Sequence, residues 1–220
     1  MSTKLALIHS SPSLIPMFQA LCTTWLPGVE VFNVVDESLI RNTIAAGHVE
    51  KVTARRVIAH AESAGLAGAD AVLFTCSSIG ECVTLAAGLF DFPVIRVDDA
   101  MAEKAVSMGR RIGVLATVRS TLEPTIALVH KMGAGKQITV VDILCEGAFE
   151  AVMAGDGQTH DALVSAGLLK LVSQVDVVLL AQASMVRVLA TIESGLLPVP
   201  VLSSPELAVQ RVADVLKSRE

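Results

Sequence analysis

The chain has no tyrosine and a single tryptophan, and aromatic residues make up only 3% of it. Its 17 Lys and Arg against 22 Asp and Glu leave a net charge of −5. Binding to nucleic acid draws on basic patches and stacking rings, so this composition argues against such a partner. None of the four cysteines forms a CxxC pair and no histidines cluster at metal spacing, which argues against structural zinc. No uninterrupted apolar run approaches the roughly 20 residues of a membrane span. The longest candidate, Val177 to Ile192, is broken by Gln182 and Arg187. Before His9 there is one lysine and a four-residue apolar run, too little for a signal peptide. A cytoplasmic protein with free thiols is therefore expected. Walker and GxGxxG loops, low-complexity segments and charge blocks are also missing.

Small apolar residues fill the space left. Of the 220 residues 52% are hydrophobic, and the mean hydropathy is +0.62, a balance that suits sheets buried on both faces. The run Asp70 to Gly80 ends a short apolar strand in the polar triplet Cys76-Ser77-Ser78. Ser77 and Ser78 are N-cap residue types, and Ile79 to Leu89 reads as a helix. Cys76 is thus placed where a parallel strand hands over to a helix, the end at which open α/β sheets bind ligands. Backbone N–H groups and the helix dipole there favour an anion and lower a thiol's pKa.

The pattern occurs twice. Val175 to Met185 repeats it with Asp70 aligned on Asp176, Cys76 on Gln182 and Ser78 on Ser184. Leu5 to Ser10 likewise resembles Ile112 to Thr117, and Pro93 to Ile95 resembles Pro200 to Leu202. Strands are expected at Lys4–His9, Val29–Val35, up to Cys76, Val94–Val97, Arg111–Ala116, Gln137–Leu144, Val175–Ala181 and Val199–Leu202. Helices are expected between them, including Ser184–Ser194, with a last one over Pro205–Lys217. Strands alternating with helices imply parallel sheets with right-handed crossovers. The expected fold is α/β, with two pseudo-symmetric flavodoxin-like halves, each a short parallel sheet flanked by helices. Residues 1–98 plus 203–220 form the half carrying Cys76, and residues 99–202 form the half carrying Gln182. Cys76 and Gln182 are expected to look into a shared cleft.

The strand ends supply Ser10, Ser11, Asp36, Cys76 to Ser78, Asp98, Thr117, Cys145, Glu146 and Gln182 to Ser184. This set of hydroxyls and amides, without Arg or Lys, suits a small carboxylate better than a phosphate. Cys76 and Cys145 each end a strand and are the candidate thiols, although a lone cysteine there is also a common core residue. Cys22 and Cys82 lie within helices and read as core. Asp36 and Asp98 read either as site groups or as N-caps. Glu81 and Arg187 read as solvated. His9 lies near the mouth on a strand whose facing is open, whereas His48, His60, His130 and His160 read as surface residues or caps.

Thr75-Cys76-Ser77-Ser78, the strand Gly113 to Thr117 and the stretch Leu179 to Met185 resemble the aspartate/glutamate/hydantoin racemase superfamily over nearly the whole chain. The resemblance implies a cofactor-independent enzyme in which two cysteines, one from each half, flank the substrate's α-carbon. By it, Cys76 takes the first catalytic position. Ser77, Ser78, Thr117, Ala183 and Ser184 are carboxylate-binding positions, and Ser10 lines the mouth. The second cysteine is replaced by Gln182, and glutamine is neither a useful base nor an acid. Arylmalonate decarboxylases, which resemble this fold with one thiol, and maleate isomerases show other routes for such a site. A lone thiol can protonate one face, add covalently or exchange a proton by one base, while Gln182 can donate to a carboxylate or enolate oxygen. The expected activity is a racemase or isomerase reaction at the α-carbon of a small carboxylate, amino acid or hydantoin-like compound. The second group would be Cys145, Glu146, Asp36 or a water. A single-cysteine decarboxylase, lyase or cis-trans isomerase, and a non-catalytic carboxylate-binding protein, are the alternatives. The apolar content and the resemblance both suggest a homodimer or larger oligomer.

Overall fold

A computed structural model describes residues 2–219. The chain divides into two compact units: one runs to Ala100 and resumes at Pro205, and the other is Met101–Ser204. Each holds a four-stranded parallel sheet. In the first unit β1 (Lys4–His9), β2 (Glu30–Val35), β3 (Ala71–Phe74) and β4 (Val94–Arg96) lie in the order β2-β1-β3-β4. In the second, β5 (Arg111–Ala116), β6 (Thr139–Leu144), β7 (Val177–Leu180) and β8 (Val201–Ser203) lie in the order β6-β5-β7-β8. The two orders are the same, so the duplication read in the sequence is a duplication of topology.

The helices follow from the apolar residues between strands. The first unit has α1 (Ile15–Trp25), α2 (Ser38–Ala46), α3 (Lys51–Leu66) and α4 (Gly80–Ala87). After α5 (Asp99–Met108), the second has α6 (Arg119–Met132), α7 (Ala148–Met153) and α8 (Gly157–Leu171). The last helix, α9 (Ser204–Lys217), returns to the first unit, where Ala208, Val209 and Val212 join Phe18 of α1 over β1 and β3. Central strands β3 and β7 are buried throughout, as expected of strands covered on both faces. One expected helix differs. Residues Ala183–Ala190 wind as a 3-10 helix instead of opening an α-helix to Ser194. Val186, Val188 and Thr191 are β-branched and weak α-formers, and Arg187 is tied to the start of α8 by a hydrogen bond to the Gly157 carbonyl at 3.0 Å.

Strand alternation sorts the first unit's core into two layers. Leu5, Leu7, Ala71, Leu73 and Val31 face α1 and α9. Ala6, Ile8, Val72, Phe74, Phe32 and Val34 face Leu39 of α2, Val57 and Ala61 of α3, and Val83 of α4. One more step in each direction continues this alternation into the polar residues at the carboxyl ends.

The two aspartates that aligned the sequence repeat act alike at the opposite ends of the sheets. Asp70 Oδ2 accepts the Lys4 N–H at 2.7 Å. Asp176 Oδ2 accepts the N–H groups of Arg110 and Arg111, both at 2.8 Å. Each ties the entry of its half's first strand to that of its third. The hydrogen bonds from Arg111 and then Arg110 hold the Asp176 carboxyl below the ordinary carboxylate range. A carboxylate with a depressed folded-state pKa stabilises the fold above its unfolded pKa, and that stabilisation disappears as pH falls through the folded value. Asp176→Asn should therefore lower Tm at neutral pH, and its deficit against wild type should close as the solution is acidified below the ordinary carboxylate range. Thermal melts of both proteins across pH 2 to 7 (roughly the range over which carboxylates titrate) measure this.

Candidate functional site

The polar residues at the carboxyl ends of β1 and β3 fall alternately on the two faces. Ser10 and Cys76 continue the series Ala6–Ile8 and Val72–Phe74, and Cys76 belongs to the core layer under α3 and α4. Cys76 is extended (φ −120°, ψ 115°), and the chain then turns through a short 3-10 segment, Ser77–Ile79, before α4 begins at Gly80. Cys76, Ser10, Ser77 and Ser78 are all buried. Burial pushes the Cys76 thiol up. Against it work hydrogen bonds to the sulfur from the Ser10 hydroxyl, the Ser78 and Ile79 backbone N–H groups and the Ser78 hydroxyl. Burial prevails, so the direction is opposite to the one expected from the strand-to-helix position. The first turn is a three-residue 3-10 segment rather than the end of a long α-helix, and the sulfur is removed from water. Cys76 consequently rests as a thiol at neutral pH, with four donors arranged to receive a thiolate.

The other cysteines have no such donors. Burial alone pushes Cys22 and Cys145 up to about 11. Burial, with the Glu81 charge behind it, also raises Cys82. Cys145 ends β6 as expected, but its sulfur lies in the second unit's core, where a Cβ added to Gly167 would come within 2.7 Å of it. Glu146 beside it is exposed.

A buried cation stands at the end of β4, where none was expected. Arg96 forks onto Asp98, with Nε donating to Oδ1 at 2.8 Å and Nη2 to Oδ2 at 2.9 Å. Its Nε also lies 3.3 Å from Asp99 Oδ1, and Nη1 reaches Thr84 Oγ1 at 3.3 Å. Asp98 is thereby the counter-ion of Arg96. The guanidinium lies against the start of α4, where a Cβ at Gly80 would be 2.4 Å from Nη2. The i, i+2 spacing of Arg96 and Asp98 was the available sequence signal, since it puts both on one face of a strand.

Asp36 is also fully engaged. Its Oδ1 accepts from the Ser38 N–H at 3.1 Å and hydroxyl at 2.8 Å, while Oδ2 accepts from Arg56 Nη2 at 2.5 Å and pairs with His60 Nε2 at 2.7 Å. Burial raises this carboxyl, and the hydrogen bonds from His60 and Ser38 with the Arg56 charge outweigh it, so Asp36 stays ionised. It holds α3 to the start of α2, a role for His60 and Arg56 that their places on a helix surface did not reveal. Ser11 turns to Ser13, its hydroxyl 2.8 Å from that of Ser13.

In the second unit the same topological positions are occupied differently. The Thr117 N–H donates to Gln182 Oε1 at 2.6 Å, and Gln182 Nε2 donates to Thr117 Oγ1 at 2.7 Å. The Thr117–Gln182 pair therefore repeats, at matching strand ends, the Ser10–Cys76 pair of the first unit. Because the Thr117 oxygen accepts from the amide, its own proton is left to donate elsewhere, as is the second proton of Gln182 Nε2. Ala183 and Ser184 follow, half-buried. Arg187 is not simply solvated: its Nη2 binds Asp161 Oδ2 at 2.7 Å, and Asp161 Oδ1 meets Nδ1 of the buried His160 at 2.7 Å. A surface hollow lined by Val106, Met108, Arg110 and Lys136 lies at the amino end of this sheet, away from these residues. Among the described residues, no group of three His, Cys, Asp or Glu is placed to hold a metal ion, and no helix is long and apolar enough to cross a membrane.

A model of the Asp/Glu/hydantoin racemase family matches residues 7–212. The chain belongs to that family. Solved structures of similar fold include the glutamate racemase of Thermus thermophilus with β-chloro-D-alanine. That structure is 19% identical, with a TM-score of 0.75, covering 99% of this chain and 82% of the other. The allantoin racemase of Klebsiella pneumoniae is 19% identical with a TM-score of 0.69, over 99% and 89% of the two chains. The aspartate racemase of Picrophilus torridus is 15% identical with a TM-score of 0.72, over 98% and 94%. No curated protein sequence matches the chain. At these identities the racemase structures establish the fold, and the residues of this chain must carry the chemistry.

Within this racemase-family fold, Gly80 is the position where packing reaches the thiol turn. Arg96 is fixed by both oxygens of Asp98 and has no slack to retreat. Gly80→Ala should destabilise the protein by about 2 kcal/mol, the usual cost of overpacking a well-filled site. Urea unfolding monitored by far-UV circular dichroism checks it; a change below about 0.5 kcal/mol, the range of ordinary surface substitutions, would show that Arg96 can move.

Proposed function

We propose that the chain is a racemase- or isomerase-type enzyme acting at the α-carbon of a small carboxylate, an amino acid or hydantoin-like compound, with Cys76 as its acid/base. The observation that carries this reading is the set of four donors gathered on one buried sulfur. A structural cysteine has no need of hydroxyl and backbone donors, and Cys22 and Cys145 have none. A thiol that must pass through the thiolate while a proton is at the substrate needs such donors. Ser77, the residue after Cys76, supplies a further hydroxyl for a carboxylate. Family membership supports the reaction class, and the glutamate, aspartate and allantoin racemases of similar fold suggest where to look for the substrate.

A second reading is favoured by one feature. The position aligned with Cys76 in the second unit is an amide, and two of its hydrogen-bonding groups are spent on Thr117. An amide supplies neither acid nor base. With Cys76 resting as a thiol, the ready reaction is delivery of one proton to one face of an enolate. That is the requirement of a lyase or decarboxylase using a single cysteine.

Proton NMR in deuterium oxide tests both. Wild type and Cys76→Ala are incubated with glutamate, aspartate, other amino acids, allantoin and other hydantoins, hydroxy acids, maleate and substituted malonates. Deuterium should enter an α-carbon with wild type, and Cys76→Ala should slow it by about 10² to 10⁴, the usual contribution of a positioned acid/base. Inverted configuration identifies a racemase, whereas one-face labelling or loss of carbon dioxide identifies the single-thiol route. Failure of every compound to exchange or convert, with ligand bound equally by both proteins, would overturn the catalytic reading in favour of a binding protein.

A further inference from the structure

On the face of the first sheet opposite Cys76, the last polar row is a closed hydrogen-bonded set. His9 and Thr75 continue the apolar series Leu5–Leu7 and Ala71–Leu73, next to Asn33 on β2. The His9 ring is fully buried, with its edge toward Phe18 at a centroid distance of 5.7 Å. Its Nδ1 is 2.9 Å from Thr75 Oγ1, and its Nε2 is 2.9 Å from Asn33 Oδ1. Burial lowers the pKa of His9, against the smaller opposing effect of the Asn33 hydrogen bond. The ring is therefore neutral: with Nε2–H donating to the Asn33 oxygen, Nδ1 accepts the Thr75 hydroxyl proton, for which the more distant Ile8 carbonyl at 3.3 Å is the other acceptor. One imidazole thus ties together three strands: His9 is the last residue of β1, Asn33 lies within β2, and Thr75 directly follows β3.

The chain neighbours of this set are the thiol and its hydroxyl donor. Ser10 follows His9, Cys76 follows Thr75, and alternation sends both to the other face, where the Ser10 hydroxyl meets the sulfur. We infer that His9 is a positioning residue: its bond to Thr75 adds to the backbone bond from the Thr75 N–H to the Ile8 carbonyl at 3.0 Å, sets how the β1 and β3 ends face each other, and so holds the Ser10 hydroxyl on the Cys76 sulfur. This rests on the proposed role of Cys76, and it explains why a polar ring occupies a position that Leu would fill more cheaply. A buried, fully paired histidine that only filled the core would have no reason to bracket the thiol in this way.

The test reads the thiol without any substrate, so it stands or falls separately from the deuterium-exchange experiment. Iodoacetamide alkylation of Cys76 is followed by peptide mass spectrometry across pH 6 to 11 (a range spanning the roughly 8.5 of a free thiol). Wild type, Ser10→Ala, His9→Leu, Thr75→Val and the pairs His9→Leu/Ser10→Ala and Thr75→Val/Ser10→Ala are compared. Losing a charge-assisted hydrogen bond should move the Ser10→Ala midpoint up by about one pH unit, a tenfold loss of thiolate at a fixed pH below it. His9→Leu and Thr75→Val should reproduce that shift, and each pair should shift no further than Ser10→Ala alone. Thr75→Val is nearly isosteric and serves if His9→Leu does not fold. A wild-type midpoint in Thr75→Val, even with a lowered Tm, would show a purely structural role and overturn the inference. So would shifts that add in the pairs.

Discussion

A β-strand cannot send two consecutive side chains to the same face, and the first unit is built on that constraint. Its central strands are buried on both sides, so the alternation that makes two apolar layers continues unchanged into the polar residues at their ends. Ser10 and Cys76 have to appear together on one face, and His9 and Thr75 together on the other. A functional thiol placed here brings with it a second polar row behind the sheet, and that row must satisfy its own hydrogen bonds away from water. The paired rows, the turn to α4 and the packing of Arg96 behind that turn all follow from this one geometry.

The second unit shows the same frame with different chemistry. Thr117 and Gln182 stand where Ser10 and Cys76 stand, and they too are hydrogen-bonded to each other. In the first unit, donors converge on an atom that can gain and lose charge. In the second, a neutral amide satisfies a backbone N–H and sets the polarity of a hydroxyl. The duplication has kept the pairing of strand ends while changing the groups that are paired.

Much of this was legible in the sequence because it is local. Strands β1 and β5 have the expected bounds, and the Asp70 and Asp176 repeat registers two sheets of the same order. Ser10, Cys76 and Ser78 could be named because short apolar runs ending in small polar residues fix where a parallel strand stops. What stayed hidden depends on contacts between distant parts of the chain. His60 and Arg56 reach Asp36 only after α3 folds back over β2. The facing of His9 could not be read without knowing which helices cover which layer, and Arg96 looked like any residue ending a short strand. The thiol's pKa was anticipated in the wrong direction because local dipoles are visible in a sequence and total burial is not. The 3-10 winding after β7 depends on β-branched residues and on Arg187 reaching the start of α8.

The bond from Thr117 to Gln182 has a consequence for how such a site could change over evolution or by redesign. The glutamine carbonyl occupies the backbone donor that the end of β5 would otherwise present, so the chain carries its own stand-in for an external oxygen. Exchanging Gln182 for a cysteine would do two things at once: introduce a titratable sulfur and strip a buried N–H of its acceptor. A thiol accepts hydrogen bonds weakly, and the vacated donor would then call for an anion from outside. A titratable sulfur and an unpaired backbone donor would therefore arrive together, in a single codon.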